Sequence, residues 1–266
     1  MDHLTYYGLT HDPFDKESSS VFETVDLKEV SARLDYVTKT LGICVITGSS
    51  GSGKTFALRH FASKLNPSLY RVCYLQLATV TMSDFYDAIG TALGLELPRK
   101  KIDKFHQIQE RIVTLYEKNK VTPIFIFDEA QYLKGPILQE LVMLFNFEMD
   151  SKKNCLIILT GLPYLAQMLE RAQFEPLKQR VIAKYEVVGI EAKEVQSYLD
   201  AQFRHANRST PVFTEAAVEA LRLDAGTSIR KLNNIVTHSL ILGAKKNQAV
   251  IDTDIIYAAN REVNFS

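Results

Sequence analysis

Residues Gly48 to Thr55 read Gly-Ser-Ser-Gly-Ser-Gly-Lys-Thr, the spacing G-x-x-x-x-G-K-[ST]. Each residue type in that pattern has a task in gripping a phosphate chain. Glycine at 48, 51 and 53 lets the backbone turn sharply and approach the phosphates without a Cβ clash. The successive amides of the loop, including those of Ser49, Ser50 and Ser52, then form an anion nest. Lys54 would reach the β- and γ-phosphates, and the Thr55 hydroxyl would coordinate Mg²⁺. The competing reading is a flexible Gly/Ser loop. A second signature is Pro123-Ile-Phe-Ile-Phe followed by Asp128 and Glu129. Four apolar residues ending in two carboxylates put both acids at a strand's C-terminal edge, where open α/β sheets bind ligands. Asp128 would hold Mg²⁺ through its water shell. Glu129 would orient or deprotonate an attacking water. The competing reading of the pair is a strand end with a solvated acidic turn, and the glycine loop beside it weighs against that.

The flanking elements must place these groups. Leu41 to Thr47 is an apolar, β-branched run of buried-strand type. After the loop, Phe56, Leu58, Phe61, Ala62 and Leu65 recur at helical spacing, and Pro67 follows as a stop. A phosphate at that helix's N-terminus meets free amides and the favourable end of the dipole. Further strands are expected over Tyr70–Leu77, Pro123–Phe127, Cys155–Leu159 and Ala183–Val188, with helices between them. Ser83 is expected to cap one helix, and Phe105, Ile108, Ile112, Leu115 and Tyr116 share one face of another. Strands alternating with helices predict an α/β fold with a parallel sheet sandwiched by helices. Thr160 falls at the tip of the fourth strand, where its hydroxyl can bond the attacking water or a γ-phosphate; the alternative is a plain Thr-Gly turn. From about residue 190 only helical patterns remain. The expected organisation is a lead-in over 1–40 that packs on the nucleotide-binding core, with a polar turn at Glu17 to Ser20, a nucleotide-binding α/β domain over 41–189, and a small all-helical lid over 190–266.

Composition bounds the possibilities. The 266 residues carry 31 basic and 31 acidic side chains, so no global charge drives the chain toward nucleic acid, although a local patch is compatible with that balance. The three cysteines, Cys44, Cys73 and Cys155, sit in apolar runs without metal spacing and read as core cysteines in a reducing, cytoplasmic setting. Neither a signal peptide nor an apolar run of transmembrane length is expected.

With these residues in place, the chain resembles the AAA+ ATPases of the P-loop NTPase class, over nearly its whole length. In that light Gly48 to Thr55 looks like Walker A, Asp128 and Glu129 like Walker B, and Thr160 like the first sensor. The resemblance also implies that Arg180, in Pro176-Leu-Lys-Gln-Arg180-Val, is an arginine finger acting on a neighbouring subunit's nucleotide, with Arg171 a nearby competitor. Arg230, in Gly226-Thr-Ser-Ile-Arg230-Lys-Leu-Asn-Asn, is similar to a second sensor acting on its own nucleotide. A guanidinium suits either role through its planar, permanently charged donors; a surface salt bridge is the alternative for each. ATP and Mg²⁺ are the implied ligands, and a homo-oligomer, ring or filament, is the implied assembly.

Within that family the opening Tyr6-Tyr-Gly-Leu-Thr-His-Asp-Pro-Phe14, then Val21-Phe-Glu-Thr, resembles the ExeA-like ATPases, related to transposition helpers of the IstB and TniB types. Secretion members of the ExeA type carry a transmembrane helix and a periplasmic region after the ATPase domain, and this sequence shows neither. The reading is therefore a cytoplasmic ATPase that assembles on double-stranded DNA and directs a transposase, without a membrane. Candidate phosphate contacts are Arg99, Lys100, Lys101 and Lys104, with Lys152 and Lys153 a weaker pair; a solvated basic loop is the alternative for each. The rivals are an ExeA-like ATPase serving secretion or envelope assembly, and an ATP-binding scaffold with little turnover. Glu129 argues against the scaffold, because a pure binder does not need that carboxylate.

Overall fold

In the computed structural model, residues 2–15, 20–77 and 80–263 are described; Glu17 to Ser19 of the expected polar turn lie outside them. The chain divides into two compact units. One comprises residues 29–48 and 54–187, the other residues 1–28, 49–53 and 188–266.

The first unit is built on five parallel strands: β1 (Gly42–Gly48), β2 (Tyr70–Gln76), β3 (Thr122–Asp128), β4 (Leu156–Gly161) and β5 (Val181–Val187). Their order across the sheet is β2-β3-β4-β1-β5. The near-continuous apolar runs in β1, β3 and β4 are explained by burial on both faces. Phe125 and Phe127 of β3 are fully buried, as are Phe85, Tyr86 and Ile89 of the helix Met82–Ala92 and Ile108 and Ile112 of the helix Lys101–Val113. The latter continues as a π-turn over Thr114–Lys118, which carries buried Leu115. The cap of the helix Met82–Ala92 is Thr81, not Ser83. Thr81 Oγ1 accepts from the Asp84 amide while the Asp84 carboxylate accepts from the Thr81 amide, and this reciprocal box starts the helix ahead of Ser83. All three cysteines are buried and free. Burial pushes the Cys44 thiol up to about 12 and the Cys73 thiol to about 11, which keeps both protonated and unreactive.

The second unit packs the helices Val195–His205, Glu215–Ala225, Ile229–Lys245 and Thr253–Val263 around one apolar cluster. Thr214 and Ser228 cap the second and third of these by accepting from the amides of Ala217 and Lys231. The start of the lead-in belongs to this unit and not to the nucleotide-binding core expected for it, because the short helix His3–Tyr7 joins this apolar cluster: Tyr7 is buried, and its hydroxyl donates to the Gln248 carbonyl at 2.8 Å. Packing thus accounts for Tyr7, and Phe14 lies edge-on to Phe203 in the same core. Among the described residues no helix is long and apolar enough to cross a membrane.

Candidate active site

Within the α/β unit, β1 ends at Gly48 and the helix Lys54–Lys64 opens with Lys54 and Thr55. Lys54 is 6% exposed, and its ammonium donates to the Gly48 carbonyl at 2.7 Å. The side chain therefore folds back onto the end of β1. Next to β1 in space is β4, although β2 follows β1 in the chain. Ile46 stands beside Thr160 and Thr47 beside Gly161. On the other side β4 runs in register with β3 up to Phe127 and Leu159, so Asp128 and Thr160 are the next residues of adjacent strands. This crossover order brings the tips of β1, β4 and β3 side by side.

Asp128 is 3% exposed and fully engaged. Its Oδ1 accepts from the Glu129 amide at 3.0 Å. Its Oδ2 accepts from the Tyr74 hydroxyl at 2.6 Å and lies 3.4 Å from the Thr55 hydroxyl. Thr55 and Asp128, the two expected Mg²⁺ residues, are thus brought together. Burial, then the hydrogen bond to Asp128, pushes the Tyr74 phenol above its ordinary range, so it remains a donor to the carboxylate. Tyr74 was missed in sequence; its only signal is a polar-tipped aromatic two residues before the end of β2. Glu129 adopts the left-handed conformation, φ 55° and ψ 39°, which is uncommon for a residue with a Cβ. The Asp128 carboxylate on its amide and the Tyr132 amide on its carbonyl hold that turn.

Thr160 is fully buried, and its Oγ1 has no hydrogen-bond partner among the described residues. An orphaned buried hydroxyl costs free energy unless something else satisfies it, and a phosphate oxygen or a water beside the strand tips would do so. Among the described residues no three His, Cys, Asp or Glu side chains converge as an all-protein metal cage. Mg²⁺ does not need one, because it is bound by one or two carboxylates together with waters and substrate phosphates. The donor set of Thr55 and Asp128 fits that pattern.

In the helical unit, the loop residues 49–53 meet the first turn of the helix Ile229–Lys245. The Arg230 amide donates to the Gly51 carbonyl at 3.3 Å, and its guanidinium donates to the Ser50 hydroxyl at 3.2 Å. Gly51 has φ +80°, and a Cβ there would fall 2.5 Å from Ser228 Oγ and 2.9 Å from Arg230 Cβ. Glycine is required there by both conformation and space. Ser52 Oγ is buried and without a partner among the described residues, a second polar atom suited to an anion. Arg230 is therefore placed on the glycine loop itself.

Two other expectations meet a different geometry. Arg180 does not project freely: it donates to the Val142 carbonyl at 2.8 Å and pairs with Asp150 at 3.0 Å. Arg171 is exposed and lies against Tyr164, by a hydrogen bond to its hydroxyl at 3.0 Å and with its guanidinium over the ring. Lys104 leaves the set of candidate DNA contacts. It is 4% exposed, and its ammonium is fixed by both Asp87 oxygens and Ser83 Oγ, so it is a structural cation. Lys101 pairs with Glu140 at 2.9 Å, and Lys152 pairs with Glu117 and Glu148. Arg99 and Lys100 remain exposed. Lys104→Met is expected to lower stability by about 1–2 kcal/mol in denaturant unfolding, less than a fully buried pair because Asp87 is half solvated, and to leave ATP affinity unchanged.

Comparison with known proteins fits this geometry. The family model described as AAA domain matches residues 37–169, half of the chain, and includes the glycine loop, Asp128, Glu129 and Thr160. General secretion pathway protein A of Aeromonas hydrophila is 28% identical over 260 residues; the alignment covers 96% of this chain and 47% of that protein, so the chain spans about half the length of this curated relative. Among solved structures, Cdc6p of Pyrobaculum aerophilum has a TM-score of 0.70 at 14% identity, covering 100% of this chain and 72% of that one. The ORC2 protein of Aeropyrum pernix, in ADPNP–ADP complexes, has 0.69 at 16%, covering 97% and 74%. RuvB of Thermotoga maritima has 0.57 at 14%, covering 98% and 74%. At these identities the structural likeness establishes the fold: a P-loop AAA+ sheet with flanking helices and a helical C-terminal region.

Proposed function

The chain belongs to the AAA domain family, and on that footing we propose that it is a magnesium-dependent ATPase whose nucleotide state governs its assembly. The observation that carries this reading is the convergence of Lys54, Thr55, Asp128 and Glu129 at neighbouring strand tips, with the Thr55 hydroxyl 3.4 Å from Asp128.

The loop from Gly48 to Gly53 and Lys54 would bind the triphosphate, and Thr55 and Asp128 would hold Mg²⁺. When bound, the metal neutralises charge developing on the transferring phosphoryl group. Glu129 would accept the proton of the attacking water, giving ADP and inorganic phosphate. The Thr160 hydroxyl would position that water or the γ-phosphate. Arg230 would contact its own nucleotide, and an arginine of a second copy would complete the site. Arg171 needs only to leave a phenol to do so, whereas Arg180 must break its bonds to Val142 and Asp150. Loss of the γ-phosphate would remove the anchor for both arginines and reset the assembly.

The work this ATPase does has two readings. DNA-linked assembly in transposition, with a transposase as partner and a cytoplasmic location, is supported by the aromatic opening segment and by the exposed Arg99 and Lys100. Solved relatives include an ORC1 protein in complex with DNA and a Drosophila ORC bound to DNA. Service in secretion or envelope assembly is favoured by the similarity to General secretion pathway protein A. A titration with double-stranded DNA in ATP, ADP or no nucleotide separates them. The first reading expects ATP-stimulated binding that weakens steeply between about 50 and 200 mM salt as counterions compete for the phosphates. Absence of ATP-stimulated binding at low salt removes it and leaves the second.

A further inference from the structure

Two residues beyond Glu129, in the 3-10 turn Ala130–Tyr132, stands Gln131. Its amide bridges two parts of the site. Nε2 donates to Glu129 Oε2 at 2.7 Å, and Oε1 accepts from the Leu162 amide, just past the tip of β4, at 3.1 Å. Chemistry dictates the orientation of this amide. A carboxylate can only accept and a backbone N–H can only donate, so a flipped amide would lose both bonds. The β4 tip is shaped to receive the side chain: a Cβ on Gly161 would fall 2.2 Å from Gln131 Oε1.

We propose that Gln131 is a positioning residue for ATP hydrolysis: it fixes the Glu129 carboxylate through one oxygen and ties it to the tip of β4, beside Thr160. This rests on the ATPase reading above. The backbone of Glu129 is already set by its left-handed turn, but its side chain has three rotatable bonds. Gln131 removes that freedom and leaves Oε1 as the oxygen that takes the water's proton. Through the Leu162 amide, a displacement of the β4 tip would be passed to the base. Neither bond of Gln131 involves the glycine loop or Lys54, so its effect belongs on turnover and not on ATP affinity.

The test compares Gln131→Leu and Gln131→Glu with the wild type in the full chain. Calorimetry with ATP and Mg²⁺ reads affinity, phosphate release reads kcat, and hydrogen exchange reads the Leu162 amide without nucleotide. Gln131→Glu keeps the acceptor for Leu162 but places a second carboxylate against Glu129; Gln131→Leu removes both bonds. Both variants are expected to hold ATP affinity within about twofold and to lose about 10- to 100-fold in kcat, the scale of a misplaced catalytic group. Leu162 exchange should quicken in Gln131→Leu and stay near wild type in Gln131→Glu. A merely structural role would leave kcat of the glutamate variant unmoved. An active wild type with unchanged kcat in both variants overturns the proposal alone, as does unchanged Leu162 exchange in Gln131→Leu. A wild type with neither ATP binding nor turnover overturns the ATPase reading, and this proposal with it.

Discussion

Lys54→Ala is expected to give a folded chain whose ATP affinity has fallen by roughly 30-fold or more. Lys54 is the buried cation of the glycine loop, and in the structure its ammonium turns back onto the Gly48 carbonyl. In the ATP complex the same ammonium would face the β- and γ-phosphates. Truncating one partner of a desolvated, hydrogen-bonded charge pair costs about 2–5 kcal/mol, or roughly 30- to several-thousand-fold in affinity. Folding should survive, because the helix Lys54–Lys64 keeps its apolar face, Ala57, Leu58 and Phe61, in the core, and alanine is the best helix former. Calorimetric titration with ATP and Mg²⁺ checks the affinity, and thermal unfolding checks the fold. Retained affinity in a folded variant would contradict the assignment of the loop.

Glu129→Gln is expected to separate binding from hydrolysis. The amide is isosteric, its carbonyl oxygen can still accept from Gln131, and the left-handed turn is stabilised by the backbone of Glu129 itself. What disappears is the ability to take a proton. General base catalysis contributes about 10²–10⁴ in rate, so turnover should fall by that order while ATP affinity is preserved or improved. The ATP-bound form should then accumulate as a larger assembly in size-exclusion chromatography with light scattering. Unchanged turnover would remove Glu129 from the mechanism. Normal trapping of ATP without a change in assembly would separate hydrolysis from oligomerisation.

The parts of this molecule legible in sequence are those whose chemistry is local. A glycine loop between an apolar strand and a helix requires no tertiary information, because the whole pattern lies within eight consecutive residues. The Asp128–Glu129 pair is likewise marked by the apolar run that ends on it, and the alternation of strands and helices predicts the parallel sheet. What was not legible depends on packing across the chain. That β4, not β2, separates β1 from β3 follows from a crossover, and only that order puts Thr160 beside the other groups. Tyr74 reads as one more strand aromatic until β2 pairs with β3 and its hydroxyl meets Asp128. Gln131 reads as a turn residue until the Leu162 amide arrives beside it. Lys104 belongs by composition to a basic connector, yet helical periodicity turns it inward onto Asp87 while Arg99 and Lys100 stay in solvent. A run of like charges does not reveal which member faces the interior; the helix phase does. Thr81 displaced Ser83 as a cap for a related reason: two hydroxyls compete for the helix start, and the one with an acid three residues later forms the reciprocal pair.

The proposed function requires the glycine loop and the acid at the tip of β3 together to grip a nucleoside triphosphate with its magnesium. Calorimetric titration of the full wild-type chain with ATP, in the presence of Mg²⁺ and then with the metal chelated, tests it most directly. Saturable binding near one nucleotide per chain, tighter with Mg²⁺ than without, is the predicted result. A folded chain that takes up no ATP under either condition would contradict the account at its root.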